Sequence, residues 1–243
     1  MIDFKNLFKK EDSKSLLKVD IHSHLIPSID DGAKNIEKSI ELIRSLKDLG
    51  YEKIITTPHI KQDSYPNTSS SIQIAYENLK KILIEKSIDI NIDFAAEYYA
   101  DENFLKLLKN KDILTFGDNY LMFEFSHIYK PLNFIEIIYE IQESGYKPVL
   151  AHPERYIFFH NNFNIYHELK DREVLFQVNL NSTVGYYSKS VQKIAKKLCD
   201  KGLVDFFGSD IHHSKHINAL QRVINTKYYK SILKNNDIIN DTL

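Results

Sequence analysis

Two histidines, His22 and His24, stand one residue apart directly after a short apolar run. In an extended backbone, residues i and i+2 point to the same side, so these two imidazoles can converge on one point. Convergent imidazoles are the simplest arrangement for holding a metal ion such as zinc, manganese or iron. Taken alone, the pair fits structural histidines as well as it fits a metal site.

Similar residue types follow most of the other apolar runs of the chain. The histidines and carboxylates found there are His59, Glu97, Glu124, His152, Asp210 and His212. If these runs are parallel strands of a barrel, their carboxyl ends meet at one face, where active sites lie. A random surface would not place metal-ligating side chains in register with the strand ends. The pattern therefore predicts one cluster of metal ligands.

Two other features accompany this cluster. Asp30 and Asp31 precede Gly32 and a helix, so one aspartate could cap that helix while the other reaches the metal ions, with Asp31 the favoured ligand. Arg155 follows His152 by three residues, and a guanidinium beside metal ions suits a phosphate oxygen. The alternative for Arg155 is a salt bridge to a neighbouring acid.

Strand-length apolar runs alternate with amphipathic helical stretches along most of the chain. The predicted strands are residues 16–21, 53–57, 88–95, 120–125, 148–151, 174–178 and 204–207. Repeated strand–helix units predict an α/β fold with a parallel sheet, and seven units without a linker favour a barrel over an open sheet. Proline, serine and asparagine in residues 64–71 indicate a loop over one face.

Composition limits the remaining possibilities. The chain has 243 residues and a formal net charge of −1, which predicts a single domain over residues 1–243 and no nucleic-acid partner. No apolar run is long enough for a membrane helix, and residues 1–18 lack a signal-peptide core, so we expect a cytoplasmic protein without membrane insertion. The sole cysteine, Cys199, lies on a helical pattern, and Asp205 occupies the position where a cysteine phosphatase needs arginine.

At the level of motifs the chain resembles a known family. The motifs are Asp-Ile-His-Ser-His, Asp-Asp-Gly, Thr-Pro-His, Ala-Glu-Tyr-Tyr, Glu-Phe-Ser, Ala-His-Pro-Glu-Arg-Tyr and Ser-Asp-Ile-His, in order from Val19 to His212. Together they resemble the polymerase-and-histidinol-phosphatase (PHP) superfamily. Within it, the chain is similar to the bacterial metal-dependent protein-tyrosine phosphatases of capsule and exopolysaccharide operons.

The resemblance implies a distorted (β/α)7 TIM-like barrel, the PHP fold, with three divalent metal ions, usually manganese and alternatively iron or zinc. By position, the first ion would take His22, His24, Glu97 and Asp210; the second Glu97, Glu124 and His152; the third Asp31 or Asp30, His59 and His212. Arg155 matches the family's phosphate-binding arginine. The family's second basic contact, after the last histidine, is missing here, and Lys215 or His216 could replace it.

The implied activity is hydrolysis of phosphotyrosine on the tail of a bacterial tyrosine autokinase, by a metal-activated hydroxide, which regulates capsule or exopolysaccharide synthesis. One alternative is a small-molecule phosphatase of the histidinol-phosphate type or another PHP phosphoesterase. An exonuclease is disfavoured because the chain lacks a basic stripe. Another alternative is a non-catalytic regulator that binds the kinase. Formation of an oligomer stays open.

Overall fold

The computed structural model describes residues 13–243 and shows a parallel β-sheet that curls, with helices in the connections between its strands. The strands are β1 (Val19–Asp20), β2 (Lys53–Thr56), β3 (His59–Ile60), β4 (Asn91–Phe94), β5 (Glu97–Tyr99), β6 (Tyr120–Glu124), β7 (Lys147–Ala151), β8 (Leu175–Asn179) and β9 (Phe206–Gly208). The helices are α1 (Ile36–Asp48), α2 (Ser69–Glu85), α3 (Glu102–Asn110), α4 (Phe134–Glu143), α5 (Asn164–Lys170), α6 (Lys189–Asp200), α7 (Ser214–Ile224) and α8 (Lys227–Asn235).

Segment 1–12, which includes most of the stretch expected to lack a signal-peptide core, lies outside the described residues. Within residues 13–243, no helix combines the length and apolar character needed to cross a membrane.

The strands form two groups, ordered β1-β2-β4 and β3-β5-β6-β7-β8-β9, and every pair is parallel. Backbone hydrogen bonds continue the pairing where the chain passes from one group to the other. Thr57 N–H, between β2 and β3, donates to the Ser23 carbonyl after β1 at 2.7 Å, and Glu97 N–H, at the start of β5, donates to the Pro58 carbonyl before β3 at 3.0 Å. At the far edge, Ser23 also pairs in parallel with Ile211, just beyond β9. The sheet therefore curls until its last strand meets the segment after its first.

Alternating side chains of the sheet pack on two sides. In β6, Leu121 and Phe123 belong to the large core that the strands share with the helices, whereas Met122 between them belongs to a smaller cluster. The buried members of that smaller cluster are Val19, Ile21, Ile55, Ala95, Phe116, Met122, Val149, Ala151 and Phe206. They come from strands all around the curl, so they fill its concave side.

All seven runs predicted as strands contain a strand, and the α/β class with a parallel sheet is confirmed. The bounds of the first strand were wrong: β1 starts at Val19, and Leu16 is 51% exposed. The predicted loop 64–71 was also too long, because α2 begins at Ser69. The Thr68 hydroxyl accepts the Ser71 N–H at 3.1 Å and Ser71 Oγ accepts the Thr68 N–H at 2.9 Å, so these polar residues cap a helix.

Candidate metal centre

A cavity of about 590 Å³ opens at the carboxyl ends of the strands. Its wall includes nine residues that were singled out from the sequence: Asp31, His59, Glu97, Glu124, His152, Arg155, Asp210, His212 and His216. It also includes His127, three residues after Glu124. His22 and His24 lie just beneath this wall and are completely buried. The predicted cluster therefore exists as a spatial arrangement at the predicted face of the sheet.

The carboxylate of Glu97, on β5, lies at the centre of this arrangement. Its Oε2 is 3.1 Å from His59 Nδ1, 3.3 Å from His22 Nε2 and 3.4 Å from His24 Nε2. Its Oε1 is 2.8 Å from His152 Nε2. Imidazoles from three different strand ends thus meet on one carboxylate.

A second carboxylate, Asp210, approaches the first histidine pair from the end of β9. Asp210 Oδ1 is 3.6 Å from His22 Nε2 and 3.5 Å from His24 Nε2. The two Nε2 atoms are themselves 3.4 Å apart. Their side chains therefore point at one position, as the i, i+2 spacing predicted.

The two adjacent aspartates do different things. Asp31 Oδ1 is 3.6 Å from His59 Nε2 and 3.5 Å from His212 Nε2, and with His24 these residues form one group of possible ligands. Asp30 instead accepts a hydrogen bond from His24 Nδ1 at 2.8 Å and another from the Gly32 N–H at 2.9 Å. Both oxygens of Asp30 are therefore engaged in holding the loop and the His24 ring.

Neither aspartate caps the following helix. Helix α1 is capped by Asn35, whose side-chain oxygen accepts the Lys38 N–H at 2.9 Å. The expectation that Asp30 or Asp31 would do so was wrong because the turn ends three residues before the helix, which leaves room for a separate capping residue.

Glu124 and His152 form the remaining part of the cluster. Their closest atoms, Glu124 Oε2 and His152 Nε2, are 3.7 Å apart, and His127 Nε2 is 3.8 Å from the same carboxylate. The buried Nε2 of His127 makes no hydrogen bond within the described residues. Burial, reinforced by His152 and Arg155, lowers the pKa of His127 to about 2, so its ring is uncharged near neutral pH.

A chain of polar side chains under the cavity was not predicted. Gln177 Oε1 accepts a hydrogen bond from His22 Nδ1 at 2.6 Å, and Gln177 Nε2 donates to Asn179 Oδ1 at 3.0 Å. Asn179 Nδ2 then donates to Asp210 Oδ2 at 2.7 Å. The available signal was the polar pair Gln177 and Asn179 inside an otherwise apolar strand.

Arg155 is held from two sides at the cavity wall. Its Nη1 is 3.1 Å from Asp210 Oδ2, and its guanidinium lies 4.5 Å from the centre of the Tyr187 ring. The Tyr187 hydroxyl donates to the same Asp210 oxygen at 3.1 Å. The salt bridge weighed for Arg155 from the sequence is therefore present, with Asp210 as its partner, and the guanidinium still borders the cavity.

The backbone is unusual at two of these strand ends. His152 has φ +35° and Asp210 has φ +49°, both in the left-handed region that residues other than glycine seldom adopt. Such conformations cluster at functional sites, where the surrounding structure holds them. In this protein they turn the His152 and Asp210 side chains toward Glu97 and His22.

The opposite pKa shifts of two central carboxylates show how strongly charge is crowded here. Burial opposes ionisation of Glu97, but the imidazoles of His22 and His59 outweigh it and hold the pKa well below its usual value. Burial, together with the charge of Glu97, raises the pKa of Glu124 well above its usual value. A divalent cation between these carboxylates would allow both to be ionised.

The donor set fits divalent metal ions. Glu97 Oε2, His59 Nδ1 and His152 Nδ1 are buried atoms without a hydrogen bond in the described part of the chain. Buried polar atoms nearly always have a partner, so several orphans in one cavity point to a ligand. Imidazole and carboxylate together suit zinc, manganese and iron.

A curled parallel α/β sheet with histidines and carboxylates converging at its carboxyl end is the arrangement of a candidate metal-binding protein. Residues 18–240 match the family model described as capsular polysaccharide synthesis, CpsB/CapC. The chain therefore belongs to the CpsB/CapC family.

Individual relatives agree with this membership. CapC of Staphylococcus aureus is 30% identical over 230 residues, which cover 91% of this chain and 90% of CapC. The tyrosine-protein phosphatase YwqE of Bacillus subtilis is 30% identical over 201 residues, covering 82% of this chain and 79% of YwqE. A chain from the crystal structures of YwqE and of Streptococcus pneumoniae CpsB, described as unique metal-dependent tyrosine phosphatases, superposes with a TM-score of 0.78 and 28% identity, covering 90% of this chain and 96% of that one.

Proposed function

We propose that this protein is a metal-dependent protein-tyrosine phosphatase of capsule or exopolysaccharide synthesis. Membership of the CpsB/CapC family supports this, as do relatives that carry the name tyrosine-protein phosphatase. The observation that carries the proposal is the convergence of His22, His24 and His59 on Glu97 Oε2, at 3.1 to 3.4 Å and without a hydrogen bond. Ring nitrogens and a carboxylate oxygen that converge on one point without a hydrogen bond to that oxygen are what a bound cation requires.

The ligand assignment is the one that the family resemblance implies, and the short distances among these side chains support it. We assign His22, His24, Glu97 and Asp210 to one ion; Glu97, Glu124 and His152 to a second; and Asp31, His59 and His212 to a third. Asp31 is preferred to Asp30 because both oxygens of Asp30 already accept hydrogen bonds. Manganese is the first candidate, with iron or zinc as alternatives.

Bound divalent ions would neutralise phosphoryl oxygens and lower the pKa of a coordinated water. Arg155 borders the cavity with its guanidinium already fixed by Asp210 and Tyr187, so it can stabilise charge on the phosphoryl group without first being ordered. No buried cysteine or serine nucleophile is needed. Phenolate is a better leaving group than an alkoxide. Hydrolysis of phosphotyrosine therefore depends less on a general acid that protonates the leaving oxygen.

The finer architecture is part of the same proposal. If β2 with β3, and β4 with β5, are each counted as one interrupted strand, the sheet has seven strands. The pairing of Ser23 with Ile211 then closes the curl into a distorted (β/α)7 barrel. We propose that residues 1–243 form this one domain, with the metal ligands on the face where barrel enzymes carry their active sites.

The proposed substrate is phosphotyrosine in the flexible tail of a bacterial tyrosine autokinase, which places the enzyme in the cytoplasm. An extended tail can present one phosphotyrosine to the cavity without unfolding a domain. Phosphate-release assays test this choice. A phosphotyrosine peptide, a phosphoserine peptide and histidinol phosphate are incubated with the protein, with and without manganese.

We expect manganese-dependent release from the phosphotyrosine peptide and none from the phosphoserine peptide. His152→Ala should abolish release while circular dichroism shows the fold intact, and its manganese content should be lower. Preference for histidinol phosphate would contradict the tyrosine-phosphatase assignment but keep the metal site. Absence of release from all three by the manganese-loaded protein would support a kinase-binding regulator instead.

A further inference from the structure

We propose that Lys61 supplies the second cationic contact to the substrate phosphoryl group, opposite Arg155; this rests on the proposed phosphatase function. Arginine and lysine occur at two positions of the cavity wall, Arg155 and Lys61. Lys61 follows β3 directly, two residues after His59, and lies half-buried at the mouth.

The side chain of Lys61 forms no ion pair within residues 13–243. Within residues 13–243, the lysines and arginines that form ion pairs are Lys18, Lys38, Lys147, Arg155 and Lys170. Lys61 Nζ has no carboxylate within ion-pair distance among these residues and instead lies 4.2 Å from the centre of the Tyr99 ring. An ammonium group over an aromatic ring still has N–H donors that point away from the ring and can bind a ligand.

The backbone that carries Lys61 is fixed on both sides. Lys61 and Tyr65 exchange two backbone hydrogen bonds, of 2.9 and 2.8 Å, across a tight loop. Asn67 Nδ2 then ties this loop down by donating to the carbonyls of His59 and Ile29 at 2.8 and 2.9 Å. Only the lysine side chain is left to swing between the Tyr99 ring and the cavity.

The positions after the last histidine are poorer candidates. The Lys215 side chain is exposed on the first turn of α7 and is not part of the cavity wall. His216 lines the cavity, but its Nδ1 already accepts the His212 N–H at 3.0 Å. A phosphomonoester dianion therefore meets Arg155 and Lys61.

The test measures binding of inorganic phosphate to the manganese-loaded protein by calorimetry, beside steady-state hydrolysis of para-nitrophenyl phosphate. Lys61→Met keeps the aliphatic stem and removes the charge. We expect phosphate binding to weaken about tenfold and KM to rise by a similar factor with kcat little changed, since a lysine on a non-reacting oxygen acts in the ground state and transition state alike. Lys61→Arg should recover most of the affinity, and manganese content should not change.

Lys196→Met is the matched control, because Lys196 is also half-buried over a tyrosine ring, that of Tyr228, but lies on α6 outside the cavity wall. It should bind phosphate as the unmodified protein does. Unchanged phosphate binding by Lys61→Met, or a loss in Lys215→Met instead, would overturn the role of Lys61. Failure of the unmodified, metal-loaded protein to bind phosphate would contradict the phosphatase function itself.

A separate observation concerns the rim of the same cavity. Of eight large apolar side chains that are exposed among residues 13–243, four lie on two adjoining loops, so they are not scattered. Ile128, Tyr129 and Leu132 follow β6 and are 60%, 76% and 102% exposed, and Ile157 after β7 is 48% exposed. The Ile157 N–H donates to the His127 carbonyl at 3.0 Å, which holds the two loops together.

We infer that this apolar rim, defined as Ile128, Tyr129, Leu132 and Ile157, binds the substrate chain beside its phosphotyrosine. Ile128 belongs both to the rim and to the cavity wall, so the rim adjoins the cavity that the phosphotyrosine would enter. A contiguous exposed apolar patch marks an interaction site. The fitting occupant is an extended segment with apolar side chains next to the phosphotyrosine.

Two peptides test this, one with leucine and isoleucine around the phosphotyrosine and one with serine there. We expect the unmodified protein to show a KM several-fold lower for the apolar peptide. Tyr129→Ser and Leu132→Ser should remove that preference while kcat/KM for para-nitrophenyl phosphate stays within twofold, because neither side chain belongs to the cavity wall. Ile84→Ser, an equally exposed isoleucine at the far end of α2, is the control and should retain it.

Equal KM values for the two peptides with the unmodified protein would overturn the role of the rim. A change from dimer to monomer in sedimentation of Leu132→Ser would do so too, because the rim would then be covered by a second copy. Lack of release from either peptide would contradict the proposed function rather than the rim alone.

Discussion

The Nδ1 atom of His22 lies 2.6 Å from Oε1 of Gln177, and both side chains are completely buried. The amide oxygen can only accept, so the imidazole carries a hydrogen on Nδ1, and Nε2, which faces Glu97 and Asp210, is the nitrogen available to a metal ion. A partner of this kind fixes the tautomer and the orientation of a metal-ligating histidine. Gln177 is thus a positioning residue for the first proposed metal ion.

Gln177→Leu should weaken manganese binding by about tenfold to a hundredfold, because His22 loses the acceptor that orients it. Calorimetric titration of the metal-free protein with manganese measures this. Gln177→Glu retains an acceptor and should bind manganese better than Gln177→Leu. Gln142→Leu is the control: Gln142 lies on α4 and donates a hydrogen bond to the Arg172 carbonyl. Equal manganese affinity in folded Gln177→Leu and the unmodified protein would contradict this role.

Gly32 is required by a close approach of two backbone segments. A Cβ atom at Gly32 would lie 2.2 Å from the His24 carbonyl oxygen and 2.5 Å from His24 Cβ, which no neighbouring flexible group can relieve. Gly32→Ala should therefore displace His24 and lower the manganese content of the purified protein, measured by mass spectrometry of the metal. The glycine of the Asp-Asp-Gly motif is thus needed to leave room for the proposed metal ligand His24, and not only to form the turn.

Gly145→Ala provides a matched control for the previous substitution. Gly145 has φ +88°, but no atom lies within 4 Å of the position that a Cβ atom would take there, so alanine is strained without pushing on a neighbour. It should lower the free energy of unfolding by about 1 kcal/mol and leave manganese content unchanged. Loss of manganese in both variants would indicate general destabilisation rather than displacement of His24.

The residues at strand ends were predictable because strand spacing determines both the side of the sheet to which they point and their position along the strand. His22, His24, Glu97 and Asp210 were named from sequence, and they meet in space as expected. Strands β3 and β5 were not predicted, since two or three residues are too few to show a hydrophobic period. The fold class therefore followed from repeated patterns, whereas the interruption of two strands did not.

The partners of those residues could not be predicted. Gln177 and Tyr187 act through contacts with residues that lie 155 and 23 positions away in the chain, which only the closed sheet brings together. Sequence also left Asp30 and Asp31 unresolved, because neighbouring side chains in a turn have no fixed periodicity. The hydrogen bonds of Asp30 to His24 and Gly32 distinguish the two.

Cys199 should be inert in the folded protein. Its thiol is completely buried on α6, and burial raises its pKa well above the usual value, so almost no thiolate forms near neutral pH. We expect iodoacetamide to leave phosphatase activity unchanged and a chromogenic disulfide reagent to react only after unfolding in urea. Cys199→Ala should retain activity within twofold. Rapid loss of activity on alkylation, in protein that remains folded, would point to a cysteine mechanism instead.

The stability of the protein should depend on pH through Glu154, which is completely buried. Its Oε1 accepts hydrogen bonds from the Asn179 N–H and the Ser182 hydroxyl, but Oε2 has no partner within the described residues. Burial raises the pKa of Glu154 from 4.5 to about 7. Between these two values the folded state holds a proton that the unfolded state has released, so the free energy of unfolding falls as pH rises.

Glu154→Gln cannot ionise and should remove this dependence. Relative to the unmodified protein, the variant should gain stability from pH 5 to pH 8, by up to about 3 kcal/mol, because each unit of pKa difference corresponds to about 1.4 kcal/mol. Urea unfolding of the metal-free proteins at pH 5, 6.5 and 8 measures the change, with Glu85→Gln on α2 as an exposed control. A difference between Glu154→Gln and the unmodified protein that stays constant over this range would show that Glu154 is ionised in the fold throughout. Its buried charge would then have to be stabilised by Ser182, the Asn179 N–H and the nearby Arg155 alone.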